Sequence, residues 1–162
     1  MKVEREFLMG KLKEAGIRGR VYESLKDLKN SNGVQVGAVL RVGESFVRSG
    51  SKKRFTDDEG RRRQRNRLFE RTTVLHVVIA DSDEDKVDQV LTKFLSIISK
   101  GFPVNENWVD IEIGDADWLE KNDTILKSCI VVEFDVTLHG GIYSEDTEIK
   151  APAVGAIAAG SE

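Results

Sequence analysis

The chain has few of the residues on which disulfide and metal chemistry depend. Its 162 residues include one cysteine, two histidines and two prolines. Cys129 alone cannot form an internal disulfide, which is compatible with a reducing compartment. His76 and His139 have no second His or Cys at metal-ligand spacing, so we predict no metal site. His76 lies inside the apolar run VLHVVIA, which is typical of a packed sheet residue.

Motifs for catalysis and nucleotide binding are absent as well. The spacing of Gly33 and Gly37 and the pair Gly140-Gly141 fit neither phosphate-binding glycine fingerprint. No serine lies in the glycine-flanked elbow of hydrolases, and no His/Asn partner pattern makes Cys129 a nucleophile. We therefore predict a binding or assembly protein that is not an enzyme, with no catalytic residues and no cofactor.

Long apolar runs are also missing. No run approaches the roughly 20 residues that a membrane span needs, so we expect no membrane partner. The N-terminal sequence MKVEREFLMGKLKEAG carries charges throughout and does not resemble a signal peptide. We expect the protein to be cytoplasmic where it is made. The length suits one domain with a core, and 40% apolar and 33% charged residues are typical of a globular protein.

Hydrophobic periodicity gives the elements that are present. Apolar residues at helical spacing predict helices at about 2–15 and 83–100. β-Branched and alternating stretches predict strands over 68–80, 108–113 and 125–138, the last ended by His139-Gly140-Gly141. The fold class is therefore predicted as α+β, a mostly antiparallel sheet packed against two helices, with a long basic hairpin arm.

The connection before the arm is predicted from turn residues. Residues 34–48 form a hairpin in this prediction, with a tight turn at Gly43-Glu44 and a return strand that leads into the arm. Residues 1–145 make a single α+β domain from which residues 48–67 project. Residues 146–162, rich in alanine and glycine, are predicted as a flexible C-terminal tail.

The basic arm, Arg48–Arg71, concentrates the positive charge. It holds ten of the 25 Lys and Arg residues but four of the 28 Asp and Glu residues, a net charge of +6. The remaining 15 basic and 24 acidic residues give the rest of the chain a net charge of −9. The candidate binding residues are all cations of the arm: Arg48, Lys52, Lys53, Arg54, Arg61, Arg62, Arg63, Arg65 and Arg67.

Four hypotheses remain open for this arm. It is a solvated hairpin tip, a nucleic-acid contact that uses Arg61, Arg62, Arg63, Arg65 and Arg67, a loop that docks on an acidic protein surface, or a contact between copies of the chain. The third and fourth are favoured, because the body is acidic and no recognition-helix or RNA-binding aromatic motif is present.

The order of elements resembles that of phage tail terminator and tail-completion proteins. The resemblance covers about residues 1–143. It is carried mainly by the strand-helix segment 70–99, RTTVLHVVIADSDEDKVDQVLTKFLSIIS with the preceding glutamate, and by the final strand with its sequence FDVTLHGGIY.

This resemblance implies a structural virion protein. Such proteins are small α+β domains that assemble as rings, commonly homo-hexamers, on the tail tube and form the surface for head or neck attachment. The implied partners are other copies of the chain, the tail tube protein and head-tail connector proteins, with DNA passing through the ring lumen. The implied location is the virion tail, with the host cytoplasm during assembly. The alternative function is a nucleic-acid-binding module that uses the arm.

Overall fold

A computed structural model of the protein describes residues 1–120, 126 and 129–150. These residues form a mixed α and β structure with a largely antiparallel sheet. The helices are α1 (Lys2–Glu14), α2 (Leu25–Lys29) and α3 (Glu84–Ile97). The strands are β1 (Val21–Tyr22), β2 (Val36–Arg48), β3 (Lys52–Thr56), β4 (Arg62–Asp81), β5 (Gly101–Val104), β6 (Asn107–Ile113), β7 (Asp117–Leu119), β8 (Ile130–Tyr143) and β9 (Thr147–Glu148). None of the described helices is long and apolar enough to cross a membrane.

Contacts divide the chain into two units. The first unit contains Met1–Phe46 and Arg71–Gly140, and the second contains Val47–Glu70 with the chain from Gly141 onward. The main sheet order is β1-β2-β4-β8-β6-β5, and β3 and β9 both pair with β4. The second unit therefore consists of the basic arm together with a C-terminal segment that lies far from it in sequence.

The first unit is built on an apolar core beneath two helices. Leu8 and Leu12 of α1 are buried in the same cluster as the α3 residues Val87 and Phe94. Sheet residues complete this cluster, among them Leu75, Val77, Ile79, Val132, Phe134, Val136 and Leu138. The two predicted helices are therefore confirmed, because their apolar stripes pack on one face of the sheet. Asp83 caps α3 by accepting a hydrogen bond from the Asp85 amide, as carboxylates do at helix starts.

A second, smaller cluster lies within the same unit. It contains Leu28 of α2, Val36 and Ala38 of β2, and Val78 and Ala80 of β4, with Leu126 and Cys129. Since Val77 and Ile79 belong to the first cluster, alternate residues at the end of β4 are buried on both faces. The prediction of a central, covered strand at 68–80 is confirmed, and β4 begins earlier, at Arg62.

Several boundaries differ from the sequence-based predictions. The turn predicted at Gly43-Glu44 is wrong, because β2 continues from Val36 to Arg48. Sheet pairing overrides the local turn tendency: the Glu44 carboxylate accepts a 2.5 Å hydrogen bond from Arg71 of β4. Gly140-Gly141 does not end the last strand either, since β8 runs to Tyr143. Of the predicted strand 125–138, residues 125, 127 and 128 lie outside the described residues.

The region after α3 also differs. The helix ends at Ile97, not near residue 100, and Gly101–Val104 forms β5, which pairs with β6 in a hairpin. Asn105 and Glu106 make the turn with φ values of 48° and 65°, the positive values that a two-residue hairpin turn requires. The short elements α2 and β7 were not predicted, because five and three residues are too few to show a period.

Candidate functional site

The basic arm forms a ribbon in the second unit. Strands β3 and β4 pair antiparallel, in a register that runs from Lys52 opposite Asn66 to Thr56 opposite Arg62. On the other side of β4, Thr147 lies opposite Gln64 in the pairing with β9. The predicted tail, 146–162, thus overlaps this strand, and residues 151–162 lie outside the described residues.

Asp57 organises the turn at the tip of the hairpin. Its Oδ1 accepts hydrogen bonds from the backbone amides of Glu59 at 3.0 Å and Arg61 at 2.8 Å. Its Oδ2 accepts from Nε of Arg63 at 3.0 Å and of Arg61 at 3.2 Å. The hydrogen bond from Arg63, followed by the backbone amide of Arg61, lowers the pKa of Asp57 to about 2, because these donors stabilise the charged form.

Strand alternation sorts the arm's cations onto two faces. Residues directly opposite in an antiparallel pair lie on the same side, and neighbours along a strand point to opposite sides. One side, here called the paired face, carries Lys53, Phe55, Arg63, Arg65 and Arg67. The other side, here called the open face, carries Lys52, Arg54, Thr56, Arg62, Gln64 and Asn66.

Arg65 is the centre of the paired face. It is 8% exposed, and its Nε and Nη2 donate to the two oxygens of Asp146 at 2.5 and 2.7 Å. Its guanidinium also lies 5.2 Å from the centre of the Phe55 ring, a favourable cation–π distance. The bidentate bond lowers the pKa of the Asp146 carboxyl. Arg65 thus joins the hairpin to a residue 81 positions later.

Arg67 makes a second link to the C-terminal segment. Its Nε and Nη2 donate to the Tyr143 hydroxyl at 3.1 and 2.8 Å, and its guanidinium lies 5.4 Å from the centre of that ring. A Cβ at Gly141 would lie 3.0 Å from both Arg67 Nε and the Tyr143 ring. The absence of a side chain at Gly141 therefore gives room for this stack.

The open face has a different character. Lys52, Arg54 and Arg62 are exposed, and none of them forms an ion pair with a residue in the described part of the chain. The amide side chains between them bond to each other, with Gln64 Nε2 donating to Asn66 Oδ1 at 3.2 Å. The face therefore presents three cations with free donors on an ordered ribbon, which suits an anionic surface.

The remaining candidate residues lie at the ends of the hairpin. Arg48 lies 5.3 Å from the centre of the Phe69 ring, and Arg61 pairs with Asp57 and Glu59 in the turn. Arg71, the last residue of the arm, belongs to the first unit, where it pairs with Glu44. The nine predicted site residues therefore do not form one binding surface.

His76 has two acidic neighbours within the first unit. Its Nδ1 lies 2.7 Å from Asp135 and its Nε2 lies 3.3 Å from Glu133. Burial lowers the pKa of His76, but the hydrogen bonds to the two carboxylates outweigh this and raise it above the ordinary value of 6.5. Across the described residues, no group of three or more His, Cys, Asp or Glu side chains is arranged to hold a metal ion.

A cleft of about 630 Å³ lies in the first unit between the end of α1, the start of β2 and α3. Arg18, Lys86 and Lys93 at its walls are exposed, and Asp81 is buried. The Oδ1 of Asp81 accepts hydrogen bonds from the amide and hydroxyl of Ser82. Asp81 therefore has a structural role at the junction of β4 and α3.

The comparisons with known proteins give no assignment. No protein-family model matches the chain, and no curated protein matches it significantly.

Sequence reasoning missed the partners of the arm. Asp146 and Tyr143 lie about 80 residues from Arg65 and Arg67, and no local pattern connects them. The distribution of the cations over two faces could have been predicted from the sequence, because alternation fixes the side of each residue once the stretch is known to be a strand. The missing information was the strand itself, since charged residues at these positions have little β propensity.

Proposed function

We propose that this protein is a structural component of a phage tail, a terminator or completion protein that acts by assembly and docking. The observation that carries the proposal is the open face: three cations that pair with no residue in the described ranges, on a ribbon whose other face is held by its own ion pairs. Such a ribbon binds an anionic partner without first having to be ordered, which lowers the entropic cost of association.

The tail assignment is supported by the order of elements. The segment that resembles tail proteins, 70–99, contains most of the apolar part of β4 and the whole of α3. The final sequence FDVTLHGGIY forms one uninterrupted stretch of β8. In this proposal the protein forms a closed homo-oligomeric ring, a hexamer in the form that the resemblance implies, on the tube end and presents a surface to head-tail connector proteins.

The proposal requires a cognate tail tube protein, and the test uses that protein in purified form. Tube protein is polymerised with and without this protein, and tube lengths and end labelling are measured by electron microscopy. We expect label at tube ends and shorter tubes as the protein concentration rises. Tubes of unchanged length with no label at their ends would contradict the proposal.

A nucleic-acid-binding module is the second candidate function. The observation in its favour is again the open face, since exposed Arg and Lys side chains pair with the phosphates of nucleic acids. Fluorescence anisotropy with a labelled duplex, measured across a salt series, tests it. Strong, salt-dependent binding by a protein that neither associates nor labels tubes would favour this candidate over the tail protein.

A further inference from the structure

A second charged surface lies on the first unit. In the pairing of β6 with β8, Asp110 lies opposite His139 and Glu112 lies opposite Thr137, so these residues share one side of the sheet. Alternation along β8 puts Glu133 and Asp135 on that side too. Asp117 of β7 lies opposite Glu133. We call the five carboxylates Asp110, Glu112, Asp117, Glu133 and Asp135 the acidic face.

The acidic face has no basic neighbours on its own strands. Strands β6, β7 and β8 contain no Lys or Arg. The basic side chains that contact the carboxylates among the described residues are two histidines: His76 bonds to Glu133 and Asp135, and His139 bonds to Glu112 at 2.9 Å. The opposite side of the same strands is buried under the helices, where Phe134, Val136 and Leu138 lie. The acidic face is therefore the outer face of this part of the sheet.

Trp108 adds an aromatic surface beside the carboxylates. Its Nε1 donates to Asp110 at 2.8 Å, and the residue is 53% exposed. A Cβ at Gly101 would lie 2.6 Å from the indole nitrogen, so the ring covers a position that only glycine allows. An exposed tryptophan held in place by its neighbours is a typical anchor for an arginine of a partner.

We propose that the open face of one copy docks on the acidic face of a second copy. Lys52, Arg54 and Arg62 supply the cations, and Leu68, which is 45% exposed and lies on the same side of β4, supplies apolar area. This inference rests on the proposed function, because it names the contact by which a ring would form. A second copy supplies a surface of opposite charge to both faces at once, whereas DNA would contact the open face alone.

The contact is heterologous, since each copy uses its open face toward one neighbour and its acidic face toward another. Contacts of this kind close into a ring when the rotation between copies allows it. Charge also sets the specificity, because two open faces or two acidic faces repel each other. The association weakens as salt rises, since exposed charges are screened over about 8 Å at 0.15 M ionic strength.

The test is a charge-reversal pair. The first variant carries Lys52→Glu, Arg54→Glu and Arg62→Glu, and the second carries Asp110→Lys, Glu112→Lys and Asp135→Lys. Oligomeric state is measured by light scattering and by label at tube ends. We expect native protein to associate either in solution or at tube ends. We expect the affinity of this association to fall by about tenfold or more in each variant. An equimolar mixture of the two variants should regain association, because every contact in an alternating assembly then joins opposite charges.

A matched control separates this contact from overall charge. The variant Lys13→Glu, Lys26→Glu, Lys86→Glu reverses three exposed cations outside the open face and should associate like native protein. Circular dichroism and the melting temperature show that each variant is folded. Native-like association of both reversal variants would overturn this inference and leave the tail function standing. A native protein that stays monomeric and never labels tubes would overturn the tail function itself.

Discussion

In the first unit the buried side chains are mostly apolar and include Phe94, Leu75 and Val132, whereas in the second unit the buried residue among those described is Arg65. The first unit is therefore stabilised mainly by removing apolar area from water. The second is held by strand pairing, the Arg65–Asp146 bond and the Arg67–Tyr143 stack. The difference predicts that the second unit responds more strongly to charge and pH than the first.

Charge is distributed differently as well. The first unit contains 15 basic and 20 acidic residues, and the second contains ten basic and eight acidic residues. Residues 47–70 hold nine basic and four acidic residues, a net charge of +5, and this falls to +2 once residues 141–162 are included. Part of the arm's charge is therefore balanced inside the unit, and the binding surface that we propose is the open face and not the arm as a whole.

The largest effect should come from the first unit. Phe94 is completely buried and contacts Phe134 at a ring distance of 5.7 Å. We expect Phe94→Ala to lower the free energy of unfolding by about 3–5 kcal/mol, because it removes a large side chain and leaves a cavity. Urea unfolding followed by circular dichroism measures this. A loss below about 1 kcal/mol would show that the helices are not anchored through this residue.

The second unit should respond locally to Arg65→Ala. Removing the guanidinium leaves Asp146 without its bidentate partner, so the pairing of β9 with β4 should open. Amide exchange at Thr147 and Ile149 should become about tenfold faster or more, while exchange in the first unit stays unchanged. Arg54→Ala is the matched control, since it removes an arginine of the open face. Equal effects of the two variants would contradict the distinction between the faces.

Acid should disturb the hairpin turn only at a lower pH than it would if Asp57 had the pKa of an ordinary aspartate. The pKa of Asp57 is lowered from 3.8 to about 2, so its contribution is complete above pH 3.8 and is lost as pH falls through about 2. Titration of the carboxyl carbon by NMR measures this midpoint. A midpoint near 3.8 would mean that the bonds from Arg63 and Arg61 are not maintained in solution.

The smallest effect should come from His76→Asn. The folded-state pKa of His76 lies above 6.5, so its contribution is complete below pH 6.5 and is lost as pH rises through the higher folded value. We expect the variant to be less stable by under about 1 kcal/mol at pH 6, since the pairs with Glu133 and Asp135 are partly exposed. The difference should vanish at alkaline pH. Thermal melts of both proteins at pH 6 and pH 9 test this, and a constant difference would contradict it.

Local patterns determined the elements that are long and periodic. The apolar stripes of α1 and α3, the alternation of β6 and the β-branched run of β4 were each sufficient to predict the element. The alternation along β6 also puts Asp110 and Glu112 on one side of the strand, and the pairing with β8 extends that side to Glu133 and Asp135. These features are local, because the period of a helix or strand is set by the backbone of the segment itself.

Tertiary structure determined how the cations of the arm are divided between a paired and an open face. Its composition predicted a basic projection, but the division of its cations depends on the register of β3 with β4 and on a segment about 80 residues away. Strand register is the alignment of two paired segments, so the sequence of either segment alone does not determine it. The sequence therefore determined that the chain has a basic arm and an acidic body, whereas folding determined that Arg65 is buried and that Arg54 remains exposed.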